Sequence, residues 1–287
     1  MSHGDAAWSY SRHIEKESDV PEEWPTPFSA PHTVDAWRHC RSLAMVKPLA
    51  ETNPGALWLT VGDGNFGTDA HFLQSLGLDV TATGLTDERL RMASAKGLIA
   101  KYRAENAEQL SLPDNSADFV LCKESYHHFP RPPIAFYEML RVARQGVILI
   151  EPVEGSPRVL DMAKTLAKKL LRGRGEVQFE PSGNFLFRVS IREIVKMASA
   201  INLEHVSFKY LNDCYLPWAA YCHIENSIGS AVTRIGIALQ DLLCQARLMN
   251  FGMAVICVFK QPLESKVRES LLSASFTVLN LPKNPYI

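Results

Sequence analysis

The chain has 287 residues, of which 46% are apolar and 21% charged. At roughly 150 residues per domain this makes one large unit or two small ones, with enough apolar side chain for a sizeable core, so global disorder is excluded. Lys and Arg number 30 against 31 Asp and Glu, and a net charge of −1 lacks the clustered basic surplus of a general nucleic-acid binder.

No apolar run reaches the ~18 residues of a membrane-crossing helix. The longest runs, Gly146–Ile150 and Met253–Phe259, have the length of strands. The opening MSHGDAAWSYSRHIEKESD lacks the apolar stretch of a secretory signal, which predicts a cytoplasmic protein. Cys40, Cys122, Cys214, Cys222, Cys244 and Cys257 form no CxxC pair and read as reduced, mostly buried thiols. No His/Asp/Glu cluster has ligand spacing, so no metal is implied.

Residues 1–55 read as an N-terminal cover segment. Pro21, Pro25, Pro27 and Pro31 preclude a long helix there, while Trp8, Tyr10, Trp24, Phe28 and Trp37 suggest docking. A helix is predicted over Thr33–Leu49, capped by Thr33, with Val34, Trp37, Leu43 and Val46 inward. From Ala56 a strand–turn–helix rhythm begins. Strands are predicted at Ala56–Val61, Leu78–Thr83, Lys101–Glu105, Asp118–Lys123 and Gly146–Glu151. Helices are predicted through Phe72 and Leu76, after Thr86 or Asp87, and over Pro132–Arg144. Short apolar strands alternating with helices imply a parallel sheet covered on both faces.

After Glu151 the rhythm loosens. Val159–Leu171 reads as an amphipathic helix ended by the RGRG stretch, and Ile191–Ala200 as another. Leu203–Leu211 and Met253–Lys260 read as late strands, and Asn212–Asn250, long for a connection, as a helical layer of its own. Residues 56–287 thus form one α/β domain with helical insertions at about 153–188 and 212–250, closed by a polar helix and a proline-containing tail.

Gly62, Gly64 and Gly67 stand between the first strand and its helix. Glycine permits positive φ and close approach of a ligand, and the helix that follows offers free N–H groups and a positive dipole end. The turn suits a nucleotide-like ligand at the carboxyl end of the strand. A turn that needs glycine for geometry alone is the plainer alternative. The same spacing also fits a nicotinamide dinucleotide, which expects an acid about twenty residues on, near Gly84 or Asp87.

The ordered series WLTVGDGNFGTDA, DVTATGLTDERL, AENAEQLSLPDNSADFVLCKESYHHFPRP and YEMLRVARQGVILIEP resembles the class I S-adenosylmethionine-dependent methyltransferases, in particular their broad small-molecule group. The resemblance spans Ala56–Pro152. It implies a Rossmann-like, doubly wound α/β sheet of about seven strands, the last antiparallel, and S-adenosyl-L-methionine as cofactor. By this resemblance Gly62, Asp63, Gly64 and Gly67 lie under the methionine part of the cofactor, and Asn106 and Ala107 beside the adenine. Lys123 and Glu124 end the fourth strand at the pocket, and His127 and His128 open the next turn. The family usually has acids where Thr60 and Gly84 stand; Asp63 and Asp87 are the nearest carboxylates in sequence.

Methyl transfer to oxygen needs a proton acceptor, and a histidine or carboxylate suits that at neutral pH. His127 is the first candidate, with Glu124 and His128 behind it and Tyr126 and His223 further back. Arg158, Lys164, Lys168, Lys169, Arg172 and Arg174 gather on the helix after Glu151 and suit an acidic substrate, a membrane surface or plain solvation. The expected activity is O-methylation of a small molecule or saccharide, with no nucleic-acid partner. A non-catalytic binding protein of the same fold and a nicotinamide-dependent oxidoreductase are the alternatives.

Overall fold

The structure, a computed structural model, describes residues 6–18, 23–172, 179–180 and 184–286. Arg174 and most of the RGRG stretch fall outside these, as do the side chains of Lys168, Leu171 and Arg172.

The chain begins with helices α1 (Ala7–Ser18), α2 (Thr26–Ser29), α3 (Val34–Leu43) and α4 (Lys47–Thr52). The α/β rhythm follows as β1 (Leu57–Val61), α5 (Thr68–Ser75), β2 (Asp79–Gly84), α6 (Glu88–Ala95), β3 (Lys101–Ala104), β4 (Ala117–Lys123), α7 (Pro132–Val142) and β5 (Ala143–Pro152). The remainder is α8 (Val159–Arg172), α9 (Ile191–Ala200), β6 (His205–Leu211), α10 (Ile228–Gln245), β7 (Met253–Phe259), α11 (Ser265–Ser273) and β8 (Thr277–Asn280).

The strands form one eight-stranded sheet in the order β3-β2-β1-β4-β5-β7-β6-β8. The first five are parallel, and the pairings β5–β7, β7–β6 and β6–β8 are antiparallel. β4 and β7 are buried at every position, as apolar runs covered on both faces should be. Alternate residues feed two cores. Trp58, Phe119 and Ile148 enter one with Phe66 and Leu73, while Leu59, Val120 and Val147 enter the other with Tyr126 and Phe136. Strand order reverses between β2-β1 and β4-β5, which opens a crevice at the carboxyl ends of β1 and β4.

The outcome differs from the sequence expectations in four places. An eighth strand, β8, pairs with β6 from His205↔Asn280 to Phe208↔Thr277; it is four residues long and partly exposed, too brief to announce itself beside Pro282. The helix expected over Thr33–Leu49 breaks into α3, a 3-10 turn at Ala44–Val46 and α4, because Pro48 restricts Lys47 and lacks an N–H. Leu43, Val46 and Leu49 of this region are buried in the main core, and Trp24 and Phe28, ahead of α3, pack against it. The 212–250 segment is one helix, α10, preceded by irregular chain that is stitched to α3: the N–H groups of Val34 and Asp35 donate to the carbonyls of Cys222 and Ala220.

Candidate active site

The turn after β1 is built by close approach. Gly62 has φ +78°, and a Cβ on it would lie 2.5 Å from the Ser125 Cβ in the turn after β4. The Ser125 hydroxyl donates to the Gly62 carbonyl at 2.7 Å, so the two turns at the mouth of the crevice are fastened together. Gly67 has φ +72° and starts α5 with no side-chain cap of its own. Asp63 supplies the cap from outside the helix. Its carboxylate accepts the N–H of Asp69 at 3.2 Å and of Ala70 at 2.9 Å, and the Thr60 hydroxyl at 2.9 Å. Thr60 is thus the hydrogen-bond donor to an acid three residues on. Burial, and Asp69 beside it, push the Asp63 pKa well up.

Lys123 is buried at the end of β4. Its ammonium lies 2.5 Å from Glu124 and 3.9 Å from Asp69, and 3.5 Å from His39 Nδ1 on α3. Burial works against its charge, but Asp69 and Glu124 outweigh this and raise its pKa. Burial raises Asp69 to about 6 in spite of Lys123. Glu124 adopts φ +48°; burial pushes its carboxyl up, but the ion pair with Lys123 prevails and holds it below the usual range. A carboxylate so held is a poor proton acceptor.

At the end of β2 there is no room for an acid. A Cβ on Gly84 would stand 2.9 Å from the Gly64 Cα and 3.0 Å from the Thr86 carbonyl, both backbone. The carboxylate that reaches this place is Glu17 of α1. One oxygen accepts the Thr86 N–H at 3.2 Å and the Thr86 hydroxyl at 2.9 Å. The other faces Gly64, where a Cβ would meet it at 3.0 Å and would meet only Glu17 atoms within 3.6 Å. Asp87 stands at the N-terminus of α6 without a side-chain cap bond. The space over Gly64 is therefore a cradle that a Cβ would fill, covered by one flexible carboxylate. That arrangement fits a nucleoside with cis hydroxyls better than it fits packed side chains.

On the adenine side, the Asn106 amide oxygen accepts the Glu108 N–H at 2.9 Å, a tight turn that buries Ala107. Glu108 is buried and receives the Tyr10 hydroxyl at 2.5 Å, the Arg131 N–H at 2.6 Å and Arg131 Nε at 2.6 Å. Ser9 donates to Asn184 at 2.8 Å, and His13 also contacts Asn184, whose amide donates to the His128 carbonyl at 3.1 Å. One face of α1 thus reaches the segments after β1, β2, β3 and β4, and it does so through polar contacts.

Beyond β4, a 3-10 turn carries Tyr126, His127 and His128. His127 Nδ1 lies 2.6 Å from Glu151, which ends the apolar run of β5 and is fully buried. Glu151 also accepts the N–H groups of Ser125 and Tyr126, each at 2.9 Å. In the tautomer that donates from Nδ1 to Glu151, the lone pair of the His127 imidazole is on Nε2. His128 Nδ1 is 3.0 Å from Glu180; burial and the adjacent His127 nevertheless pull its pKa down to about 4. Tyr126 is buried in the core, and His223 contacts His32 and Thr33 at the start of α3.

The structure therefore gathers Gly62, Asp63, Gly64, Lys123, Glu124 and His127 around one crevice, and spends Asp63 and Lys123 on holding it together. Glu17, Glu108 and Glu151 were not singled out from sequence. Glu151 did carry a signal, a lone carboxylate closing GVILIE. Glu17 carried none, since its role depends on where α1 lands. Next to the crevice, a cavity of about 1190 Å³ opens between the end of β5, α8 and α9. Phe187 lines it and donates its N–H to the His127 carbonyl at 3.0 Å.

Residues 59–150 match a family of methyltransferase domains. A 100-residue stretch is 31% identical to the 2-methyl-6-phytyl-1,4-hydroquinone methyltransferase of Synechocystis, covering 34% of this chain; the chain spans only 31% of that relative's length. The fold is similar to the YcgJ protein of Bacillus subtilis (22% identity, 77% of this chain and 99% of that one, TM-score 0.50). It is also similar to the 1,6-didemethyltoxoflavin-N1-methyltransferase of Burkholderia thailandensis, solved with S-adenosylhomocysteine bound (14% identity, 90% of this chain and 89% of that one, TM-score 0.50). Residues 59–150 thus match a methyltransferase-domain family, and the sheet that surrounds them has the fold of these solved structures.

Proposed function

We propose that this chain transfers a methyl group from S-adenosyl-L-methionine to a hydroxyl oxygen of a small molecule. The observation that carries the reading is the 2.6 Å contact of His127 with buried Glu151, set beside the glycine turn through Ser125. When bound, the cofactor supplies a methyl group already activated on a sulfonium. The work left to the protein is positioning and proton removal.

Gly62, Gly64 and Gly67 form the floor under the cofactor, Glu17 meets the ribose hydroxyls in place of an acid at position 84, and Asn106 and Ala107 lie beside the base. His127 would accept the acceptor's hydroxyl proton at Nε2, and Glu151 would stabilise the resulting imidazolium. The acceptor enters from the cavity behind Phe187. A saccharide hydroxyl and a hydroquinone hydroxyl both satisfy this chemistry. The Synechocystis relative is named for a hydroquinone, which supports that class of molecule as acceptor.

Calorimetric titration tests the cofactor half. Binding of S-adenosylmethionine and S-adenosylhomocysteine is expected, with none of NADH. Binding of NADH alone would return the glycine turn to an oxidoreductase, and binding of none of the three would leave a scaffold.

A further inference from the structure

Two helices in the C-terminal half carry their apolar faces outward. A surface helix ordinarily turns its apolar stripe to the core. On α8 the stripe Val159, Met162, Leu166 and Leu170 recurs at helical spacing and is 58–77% exposed. The helix meets the body instead through its first turns and polar side. The Leu160 N–H donates to the Leu248 carbonyl, Asp161 accepts from the Asn250 N–H and side chain at 3.1 and 2.9 Å, and Lys164 reaches the Met249 sulfur at 3.9 Å. α10 is reversed in the same way. Gly229, Ser230, Thr233, Ile237 and Cys244 are on its buried side, while Ile228, Val232, Ile235, Leu239 and Leu242 are 40–78% exposed. The two helices adjoin where Leu248, just past the end of α10, meets Leu160. Apolar residues scattered singly need no explanation, but two continuous stripes do.

We propose that α8 and α10 form a docking surface for an anionic lipid bilayer. The charge pattern selects this occupant. At about 100° per residue, Lys169 lies along one edge of the α8 stripe with Arg158 just before the helix on the same side, and the helix carries four cations against one acid. Asp161, the acid on this helix, is spent on Asn250. Basic side chains along the edge of an apolar stripe extend their charged groups to lipid phosphates while their stems lie along the acyl region. A second copy of the chain seated on the same stripe would set one net-basic helix against another. Trp218, 60% exposed in the 3-10 turn packed on α10, suits the headgroup level. No helix among the described residues is long and apolar enough to cross a membrane, so the contact is with the surface. Asp161 and Lys164 line the cavity behind Phe187 from the side of α8 away from the stripe.

The test is co-sedimentation of the full chain with vesicles of phosphatidylcholine alone and of equal parts phosphatidylcholine and phosphatidylglycerol. Partitioning at least tenfold stronger on the anionic vesicles is expected, weakened by salt. The Leu166→Asp, Leu170→Asp double variant should lose at least tenfold of that partitioning with an unchanged melting temperature, since both side chains are exposed. A chain left in the supernatant with both vesicle types overturns the proposal, as does a double variant that partitions like the parent. Equal partitioning on both vesicle types overturns the choice of an anionic surface. Sedimentation velocity adds one more contrary outcome: a dimer that the double variant dissociates, with no vesicle binding, gives the surface to a second copy.

Discussion

Position 84 and residue Glu17 explain each other. Backbone 2.9 Å from a Gly84 Cβ excludes any side chain there, and the carboxylate arrives from α1 instead. Gly84→Ala is therefore expected to cost about 1–3 kcal/mol in a urea melt, because neither loop has room to yield. Glu17→Gln should weaken S-adenosylhomocysteine about tenfold by calorimetry, the value of one charge-assisted hydrogen bond; unchanged or tighter binding would mean that Glu17 merely covers the crevice. His127→Ala is expected to cut turnover at least about tenfold with cofactor affinity nearly unchanged, and Glu151→Gln to follow it in the same direction. His128 gives a pH prediction. Its folded pKa of about 4 lies below the usual value near 6.5, so the unfolded chain takes up the proton first. Stability from this residue is complete above that upper value and is lost as pH falls through the window. Asp69, raised to about 6, opposes this, because the folded state holds its proton longer. His128→Gln should flatten the acid limb of urea midpoints measured between these values. Of the site, the glycines and His127 were legible because their spacing is local. Glu151 acts across from β5 and Glu17 from the far end of the chain, and no local pattern encodes a partner so remote.

Among the elements, α1 is held differently from the rest. α5 and α7 bury Leu73, Phe136 and Met139 completely, whereas α1 is anchored by Ser9, Tyr10, His13 and Glu17 through hydrogen bonds and polar contacts. Such contacts exchange readily for water, so opening α1 is cheap compared with opening the sheet. Amide hydrogen exchange over residues 7–18 should slow when S-adenosylhomocysteine binds, while β4 and β7 stay protected throughout. Exchange that is insensitive to the ligand would uncouple α1 from the crevice. The parallel half was legible strand by strand, since each strand is a short apolar run between turn residues. The breaks were not: Pro48 divides one periodic stretch into α3 and α4, and β8 earns its place by pairing with β6 rather than by composition.

Across the whole molecule, the two halves of the sheet obey different rules of legibility. β4 and the apolar run of β5 bury what their pattern says they should, as does β1 after Leu57. The outward stripes of α8 and α10 break that equation, and amphipathic spacing alone cannot say which way a helix faces. The position of β7 has one more consequence. It is the wholly buried partner of both β5 and β6, yet it lies at residues 253–259, about a hundred residues after β5 in a sheet where most neighbours are closer in the chain. During synthesis β5 waits with an open hydrogen-bonding edge, Val147 to Ile150 unpaired on that side, until the late strand emerges. A nascent chain halted before Met253 is thus a sticky half-sheet, and that edge is sealed only once β7 has emerged.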